Sequence, residues 1–198
     1  MNIKLFILVT ISILFGIETA IGQRNTMILY YKDGTVAEGE GLIRGNKFVK
    51  FWENNEDPPR KIDLQSFEII KHKEGGNLIT YELLTIKGKR SPSLMRHVII
   101  DKVSLYRTVK DSYPGFRSGN ANSRSMKSNE DIKKYYLKKE HESEVTYVGS
   151  NQPFSKSFIK STTKFFEDCP ELTKKIKQKE YKKKDLQSIV RFYNTNCQ

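Results

Sequence analysis

The chain contains three histidines, and their spacing bears on whether acid and base chemistry or metal binding is expected. His72, His97 and His141 are isolated in sequence, and none lies in an HExxH motif or at another recognisable ligand spacing. Gly39-Glu40-Gly41 lacks the spacing and the following helix of a dinucleotide-binding turn, and no GxSxG segment is present. We therefore predict no catalytic residue, no metal site and no cofactor, and a protein that is not an enzyme.

The two cysteines, Cys169 and Cys197, both lie near the C-terminus. An even number of cysteines in a chain that we expect to be exported favours a disulfide between them. Closing this loop is expected to stabilise the end of the chain by roughly 3 to 4 kcal/mol. Metal binding is the weaker interpretation because neither cysteine has a histidine or a second cysteine at ligand spacing. A catalytic thiol is weaker still, since there is no CxxC motif.

The excess of basic residues is the strongest indication of a partner. The chain has a formal net charge of +12, and its C-terminal part is rich in lysine. A surface of this kind attracts polyanions, so an anionic lipid or glycan surface is one predicted partner and an envelope protein is another. We expect no nucleotide cofactor and no nucleic acid. The candidate anion-binding residues are Lys174, Lys175, Lys177, Lys182, Lys183 and Lys184. The alternative is a solvated face of an amphipathic helix, because lysine lacks the bidentate phosphate geometry of arginine.

The N-terminal residues predict export. Lys4 precedes an apolar run over residues 5–17, and the small residues Ala20 and Gly22 lie just before Gln23. This is the plan of a secretory signal peptide spanning residues 1–22. A permanent membrane anchor is disfavoured, because the run is about thirteen residues long and a spanning helix needs roughly twenty. We therefore expect a periplasmic, outer-envelope associated or secreted protein.

Residues 23–109 show the pattern of short strands separated by turns. In the first predicted strand Met27, Leu29 and Tyr31 alternate with Ile28 and Tyr30, and Asp33-Gly34 then supplies a hairpin turn. Further strands are predicted over residues 35–43, 47–52, 78–86, 98–100 and 103–109, and the pattern is continued by Ile62 and Leu64 and then by Phe67 and Ile69. Ile79, Tyr81 and Leu83 are expected to share one face of their strand. Consecutive antiparallel strands of this kind form a curved sheet or a small barrel.

The next two segments are less regular. Residues 110–129 are rich in serine, asparagine, glycine and arginine, which indicates a polar flexible loop. Residues 130–152 fit either an extra hairpin, with its turn at residues 140–143, or a short helix over residues 129–139.

In residues 153–198 the apolar period changes to that of helices. Phe158, Thr162, Phe165, Phe166 and Cys169 fall on one stripe, and Pro170 is suited to the first position of a second helix. Leu172 and Ile176 lie on that helix, and a third helix presents Leu186, Ile189, Val190, Tyr193 and Cys197. The predicted fold class is therefore α+β, with an N-terminal antiparallel meander followed by three helices closed by a disulfide.

The C-terminal segment carries a resemblance. Its residues Phe165-Phe166-Glu167-Asp168-Cys169-Pro170-Glu171-Leu172, followed by Lys175-Ile176, Asp185-Leu186, Ile189-Val190 and Tyr193-Asn194, are similar to those of small uncharacterised exported proteins of Bacteroidetes bacteria. Asp33-Gly34-Thr35 and Val103-Ser104-Leu105-Tyr106 also resemble theirs, whereas the polar loop after Lys110 is longer. The resemblance implies an envelope protein with a sheet followed by helices, and it implies no activity.

Two hypotheses for function follow. The first is a non-catalytic exported envelope protein that binds a protein partner or an anionic surface through the sheet edge and the basic helices. The second is a carrier of a small lipid-like molecule, held in a barrel cavity lined by aromatic side chains. The aromatic residues in question are Tyr30, Tyr31, Phe48, Phe51, Trp52, Tyr81 and Tyr106. The alternative for these residues is core and cross-strand packing.

Overall fold

The computed structural model of the chain describes residues 24–54, 57–108, 133–151 and 158–197. The signal peptide and the polar loop predicted from sequence lie outside these residues. The described part contains ten strands and three helices, in the order sheet first and helices last. The strands are β1 (Asn25–Tyr31), β2 (Val36–Arg44), β3 (Phe48–Trp52), β4 (Arg60–Asp63), β5 (Phe67–Glu74), β6 (Asn77–Ile86), β7 (Ser93–Ile99), β8 (Val103–Thr108), β9 (Lys134–Lys139) and β10 (Glu144–Ser150).

All ten strands belong to one sheet, in the order β10-β9-β8-β7-β6-β5-β1-β2-β3-β4. The neighbours in this order pair antiparallel, as the hairpin pattern predicts. The turn between β1 and β2 shows how the local sequence directs the pairing. Gly34 has a φ of 85°, and the Asp33 carboxylate accepts hydrogen bonds from the backbone N–H and the hydroxyl of Thr35.

The N-terminal half of the sheet encloses one hydrophobic core, here called the first core. It consists of Met27, Leu29, Val49, Phe51, Leu64, Phe67, Ile70, Ile79, Tyr81 and Leu94. The Asn46 side chain holds the turn between β2 and β3 against the start of β7. Its carbonyl oxygen accepts from the Leu94 N–H, and its amide donates to the Pro92 carbonyl at 3.1 Å. The sheet therefore curls until its first hairpins touch β7.

The C-terminal half of the sheet closes into a ring. β10 pairs with β9 on one side and with β6 on the other, where Glu144 and Val145 lie opposite Thr85 and Ile86 in parallel. The Lys87 N–H extends this contact by donating to the Val145 carbonyl at 3.0 Å. Strands β6 to β10 thus enclose a second core, the ring core, made of Leu84, Ile86, Met95, Tyr106, Tyr136 and Val145.

β6 belongs to both halves, and its two faces serve different cores. Ile79 and Tyr81 point into the first core, while Leu84 and Ile86 point into the ring core. The same switch occurs on β7, where the consecutive residues Leu94 and Met95 enter different cores. The sheet face that is solvent-facing in the N-terminal half therefore becomes the inner face of the ring.

Three helices cover the outside of the ring: α1 (Phe158–Phe165), α2 (Pro170–Lys177) and α3 (Leu186–Asn196). Their apolar stripes pack on Val103, Leu105, Leu137 and Val148 of the sheet. Thr162 is fully buried within its stripe, because its hydroxyl donates to the Phe158 carbonyl at 2.6 Å. Pro170 begins α2, as predicted.

The disulfide between Cys169 and Cys197 is confirmed, with an S–S distance of 2.07 Å. Cys169 immediately precedes α2 and Cys197 follows α3, so the bridge joins the start of one helix to the end of another. The α+β fold class, with a sheet followed by a disulfide-closed helical segment, is likewise confirmed.

Three stretches differ in detail from the secondary structure predicted from the sequence. Leu64 lies in a 3-10 turn, Leu64–Ser66, rather than in a strand. β7 starts at Ser93, five residues before the predicted residues 98–100. Within residues 130–152, where a hairpin and a short helix were both open, the described residues form the hairpin of β9 and β10.

Candidate functional site

The solvent-facing side of strands β1 to β5 carries a set of cations and aromatic rings. We call it the basic aromatic face, and it consists of Arg24, Tyr30, Phe48, Lys50, Trp52, Lys61 and Lys71. Register explains why these side chains share a face. Lys50 lies opposite Lys61, and Trp52 lies opposite Glu40, whereas the intervening residues Val49 and Phe51 point into the first core.

Each ring on this face lies beneath at least one cation. The Arg24 guanidinium is 4.4 Å and the Lys50 ammonium 5.1 Å from the centre of the Trp52 ring. Lys61 lies 4.4 Å from the centre of Phe48. These distances are within the range of attractive cation–π contacts, which contribute about 0.5 to 1 kcal/mol at exposed sites. The rings thus hold the positive charges at fixed positions on the sheet.

A fourth contact extends the face onto β5. The Lys71 ammonium lies 4.9 Å from the centre of the Tyr30 ring and donates a hydrogen bond to its hydroxyl at 3.3 Å. The ring and the hydroxyl together fix this ammonium beside β1.

The charges of this face remain mostly available to a partner. Arg24 forms an ion pair with Glu40 at 3.7 Å. Within the part of the chain that the structure describes, Lys50, Lys61 and Lys71 form no ion pair. Lys61 is exposed and Lys50 and Lys71 are half-buried, so the face can contact anionic groups through these ammonium groups. The Trp52 ring is only 6% exposed, so it supports the cations above it rather than contacting a partner.

The lysines predicted to bind anions lie in and around α2 and the turn before α3. Lys174, Lys177, Lys182 and Lys184 are exposed. Lys175 is half-buried, where it pairs with Glu171 and Glu180 and approaches the Phe192 ring at 5.8 Å. Lys183 is also half-buried. Four of the six lysines are thus exposed to solvent.

The histidines have three different surroundings. His72 is 9% exposed, and neither of its ring nitrogens has a hydrogen-bond partner among the described residues. Burial lowers the pKa of His72, and the Glu74 carboxylate partly opposes this. His141 is exposed. Among the described residues no group of three or more His, Cys, Asp or Glu is placed to hold a metal ion.

His97 forms the contact closest to acid and base chemistry. Its Nε2 lies 2.9 Å from the Glu82 carboxylate, and its ring meets the edge of Tyr106 at 5.2 Å. Burial and the Glu82 charge raise the pKa of Tyr106 to about 12. The three side chains come from neighbouring strands on the inner face of the ring. The pair of His97 and Glu82 was not predicted from the sequence, because diagonal neighbours across a hairpin can be identified only once the register is known.

Three of the cavities are described by their lining residues. One, of about 580 Å³, lies between the turns around Asn46, Gln65 and Ser91. A second, about 330 Å³, lies beside the start of α3, and a third, about 220 Å³, adjoins the turn between β9 and β10. None of the three includes Glu82, His97 or the side chains of the ring core among its described lining residues.

The sequence patterns identified some members of the basic aromatic face and missed others. Under the carrier hypothesis Tyr30, Phe48 and Trp52 would line a cavity; they lie on the side of the N-terminal half opposite the first core, where Trp52 is covered by cations and only 6% exposed. The cations over them were missed, although Lys50 lies two residues from both Phe48 and Trp52, which is the spacing of one strand face.

No family model, curated protein or solved structure matches the chain. The resemblance to exported Bacteroidetes proteins therefore stays a prediction from the C-terminal residues. Among residues 24–54, 57–108, 133–151 and 158–197, no helix is long and apolar enough to cross a membrane.

Proposed function

We propose that the protein is a non-catalytic exported envelope protein that binds an anionic lipid or glycan surface through its basic aromatic face. The observation that carries this proposal is the placement of Lys50, Lys61 and Lys71 over aromatic rings on one side of the sheet. The exposed lysines of the helical segment add positive charge that attracts the same surface over longer distances.

The lysines and the aromatic rings of this face would contribute to surface binding in different ways. Near a surface of anionic lipids, each lysine contributes about 1 kcal/mol of attraction, and this attraction decreases with salt. Aromatic side chains favour the boundary between water and apolar groups, and on this face the half-buried rings of Tyr30 and Phe48 can reach it, whereas Trp52 is only 6% exposed. A face that carries both is suited to the head-group layer of an envelope.

The carrier hypothesis receives less support. The inner face of the ring is occupied by buried side chains, of which Met95 is 0% and Tyr136 2% exposed. The described cavities lie elsewhere. A ligand inside the ring would need space that these side chains occupy.

The test is co-sedimentation of the purified protein with vesicles that contain anionic phospholipid, compared with neutral vesicles, over a salt gradient. We expect retention on anionic vesicles that falls steeply between about 50 and 500 mM salt. An acidic polysaccharide added as competitor distinguishes the two kinds of anionic surface. Retention that is independent of salt would contradict the proposal and indicate an apolar contact with the vesicles.

Matched variants locate the binding surface. The triple change Lys50→Glu, Lys61→Glu, Lys71→Glu is expected to weaken vesicle binding by at least about tenfold. The control is Lys87→Glu, Lys160→Glu, Lys164→Glu, which changes the net charge equally at exposed positions away from this face. Equal losses in the two variants would show that only net charge matters, which would remove the basis for this face as the site.

A further inference from the structure

A cavity lies among three turns at one end of the N-terminal half of the sheet, and we call it the turn cavity. Its volume is about 580 Å³, within the range of about 300 to 1,000 Å³ that is typical of small-molecule sites. The turns are the one between β2 and β3, the 3-10 turn Leu64–Ser66 and the connection from β6 to β7. The lining residues are Asn46, Lys47, Asp63, Leu64, Gln65, Leu83, Arg90, Ser91 and Pro92.

The walls of the turn cavity are held in place by side-chain hydrogen bonds. Asn46 joins the turn between β2 and β3 to the connection before β7, because its oxygen accepts from the Leu94 N–H and its amide donates to the Pro92 carbonyl. The Asp63 carboxylate accepts from the Gln65 N–H at 2.8 Å and so shapes the 3-10 turn. Since these contacts already order the walls, a ligand would restrict little further conformational freedom on binding.

Two cations of the turn cavity are available to a ligand. Lys47 and Arg90 are both exposed, and neither forms an ion pair with another described residue. A guanidinium can donate two parallel hydrogen bonds to one carboxylate, whereas an ammonium group acts as a point charge. Arg90 is therefore the side chain best suited to hold an anionic group of a ligand.

The wall formed by the 3-10 turn carries groups that suit hydroxyls. Asp63 and Gln65 are exposed there, whereas Arg90 belongs to the connection between β6 and β7. Oδ1 of Asp63 is engaged by the Gln65 N–H, which leaves Oδ2 able to accept from a hydroxyl group. The Gln65 side chain can both donate and accept. Because the charge of Asp63 repels another carboxylate, an anionic group belongs at Arg90 and hydroxyl groups belong at this wall.

The turn cavity also has a small apolar surface. Leu83 and Pro92 are half-buried, whereas Leu64 is only 2% exposed and contributes no surface. The C–H face of a sugar ring placed on Leu83 and Pro92 would remove apolar surface from water, which is favourable. A carboxylate, several hydroxyl groups and an apolar ring face are together the features of a uronic acid.

We propose that the turn cavity binds a uronic acid unit of an acidic saccharide, with the carboxylate at Arg90. The hydroxyl groups of the sugar contact Asp63 and Gln65, and its ring lies against Leu83 and Pro92. The site does not depend on the function proposed for the basic aromatic face, because no residue of that face lines it. It also differs from general attraction to an anionic surface, because it distinguishes one sugar unit by its hydroxyl groups.

Methyl galacturonoside is a suitable probe, and two partial analogues test its parts. Methyl galactoside lacks the carboxylate, and acetate lacks the ring and its hydroxyl groups. In NMR titrations of the purified protein we expect saturable shifts of the backbone amide signals of Gln65 and Ser91 with methyl galacturonoside. Both partial analogues should bind at least about tenfold more weakly, because each retains only part of the contacts.

A pair of arginine variants locates the carboxylate. Arg90→Gln should weaken binding of methyl galacturonoside by about tenfold, since it removes a charge-assisted pair of hydrogen bonds. Arg191→Gln makes the same change at an exposed arginine of α3 and should leave this binding unchanged. In the vesicle assay the two variants should behave alike, so this proposal and the one for the basic aromatic face can fail separately.

Several results would overturn the proposal. One is the absence of saturable binding of methyl galacturonoside. Equal affinity for acetate would show that the site holds a carboxylate without recognising a sugar, and equal affinity for methyl galactoside would show that Arg90 holds no carboxylate. Equal effects of Arg90→Gln and Arg191→Gln, or amide shifts confined to residues outside the three turns, would place the sugar elsewhere.

Discussion

Asn194 on the last helix pairs with both backbone groups of Val103 at the start of β8. Its side-chain oxygen accepts from the Val103 N–H at 2.8 Å, and its amide donates to the Val103 carbonyl at 2.9 Å. The side chain thus occupies the position that a neighbouring strand would take. These directional hydrogen bonds fix the position of α3 on the ring. Apolar packing alone would not do so, because it has no preferred direction.

Asn194→Ala should be among the most destabilising changes in the helical segment. Val103 is 1% exposed, so its N–H and carbonyl would lose their partners with little access to water. We expect a loss of roughly 2 to 4 kcal/mol in the free energy of unfolding, measured by urea titration. The control is Asn196→Ala, at an exposed residue that bonds only to the Phe192 carbonyl. Equal losses in the two variants would contradict the role assigned to Asn194.

Removal of the disulfide should destabilise the protein without affecting surface binding. The double variant Cys169→Ser, Cys197→Ser is expected to lose roughly 3 to 4 kcal/mol, because the unfolded chain regains the freedom that the bridge restricts. Vesicle binding should be unchanged under conditions where the variant is folded. Unfolding curves of the wild type with and without reductant provide the check: the difference between them should vanish in the variant.

The protein should become less stable as the pH decreases, because of His72. Burial lowers the pKa of this histidine in the folded state, whereas in the unfolded chain it titrates near about 6.5. Below that pH the unfolded state binds more protons than the folded state, so stability is full above about pH 6.5 and is lost as the pH falls toward the lowered pKa.

The check is the unfolding midpoint between about pH 7.5 and 5 for two variants. His72→Leu should show a weaker dependence on pH than the wild type. His141→Gln, at an exposed histidine, is the control for the removal of a histidine. If the unfolding midpoint of His72→Leu changed with pH as steeply as that of the wild type, a group other than His72 would be responsible for the pH dependence.

Asp168 should control the ionisation of Tyr193. The pKa of Tyr193 is raised to about 12 by burial, by the hydrogen bond it donates to Asp168 at 2.6 Å and by the charge of that carboxylate. Burial alone would raise the pKa of Asp168, but hydrogen bonds from Lys139 and Tyr193 hold it below its usual value.

Asp168→Asn should therefore lower the pKa of Tyr193 toward 10 without reaching it, because the ring stays buried. The measurement is a pH titration of the Tyr193 ring carbon by NMR. Tyr106 serves as the internal reference, since its pKa of about 12 depends on burial and Glu82. A parallel change in both tyrosines would indicate a general loosening of the fold.

The parts of the fold that follow from local spacing could be predicted from the sequence. The stripe of Phe158, Thr162 and Phe165 on α1 is a property of helix geometry alone, and all three residues are buried. Cys169, predicted on the same stripe, is buried but lies beyond the end of α1. The cysteine pairing followed from the number of cysteines and the expected compartment. Turn residues such as Asp33-Gly34 located the first hairpin for the same local reason.

The parts that depend on register could not be predicted. Leu94 and Met95 are adjacent and both buried, which hides the alternation that would have revealed the start of β7. They are both buried because they serve different cores. Likewise, the contact of Lys61 with Phe48 requires knowledge that β4 pairs with β3, and the two residues are far apart in sequence.

Closure of the ring has a consequence for how the chain reaches its fold. The pairs Glu144 with Thr85 and Val145 with Ile86 join segments about sixty residues apart, whereas β2 and β3 meet across a tight turn. Closing so long a loop costs conformational entropy before the strand pairing can stabilise the structure. We therefore expect the ring to close late in folding. Until then the last residues of β6, beyond its pairing with β5, present an open edge to strands of other chains. The C-terminal helices, which leave the ribosome last, pack over the strands that close it.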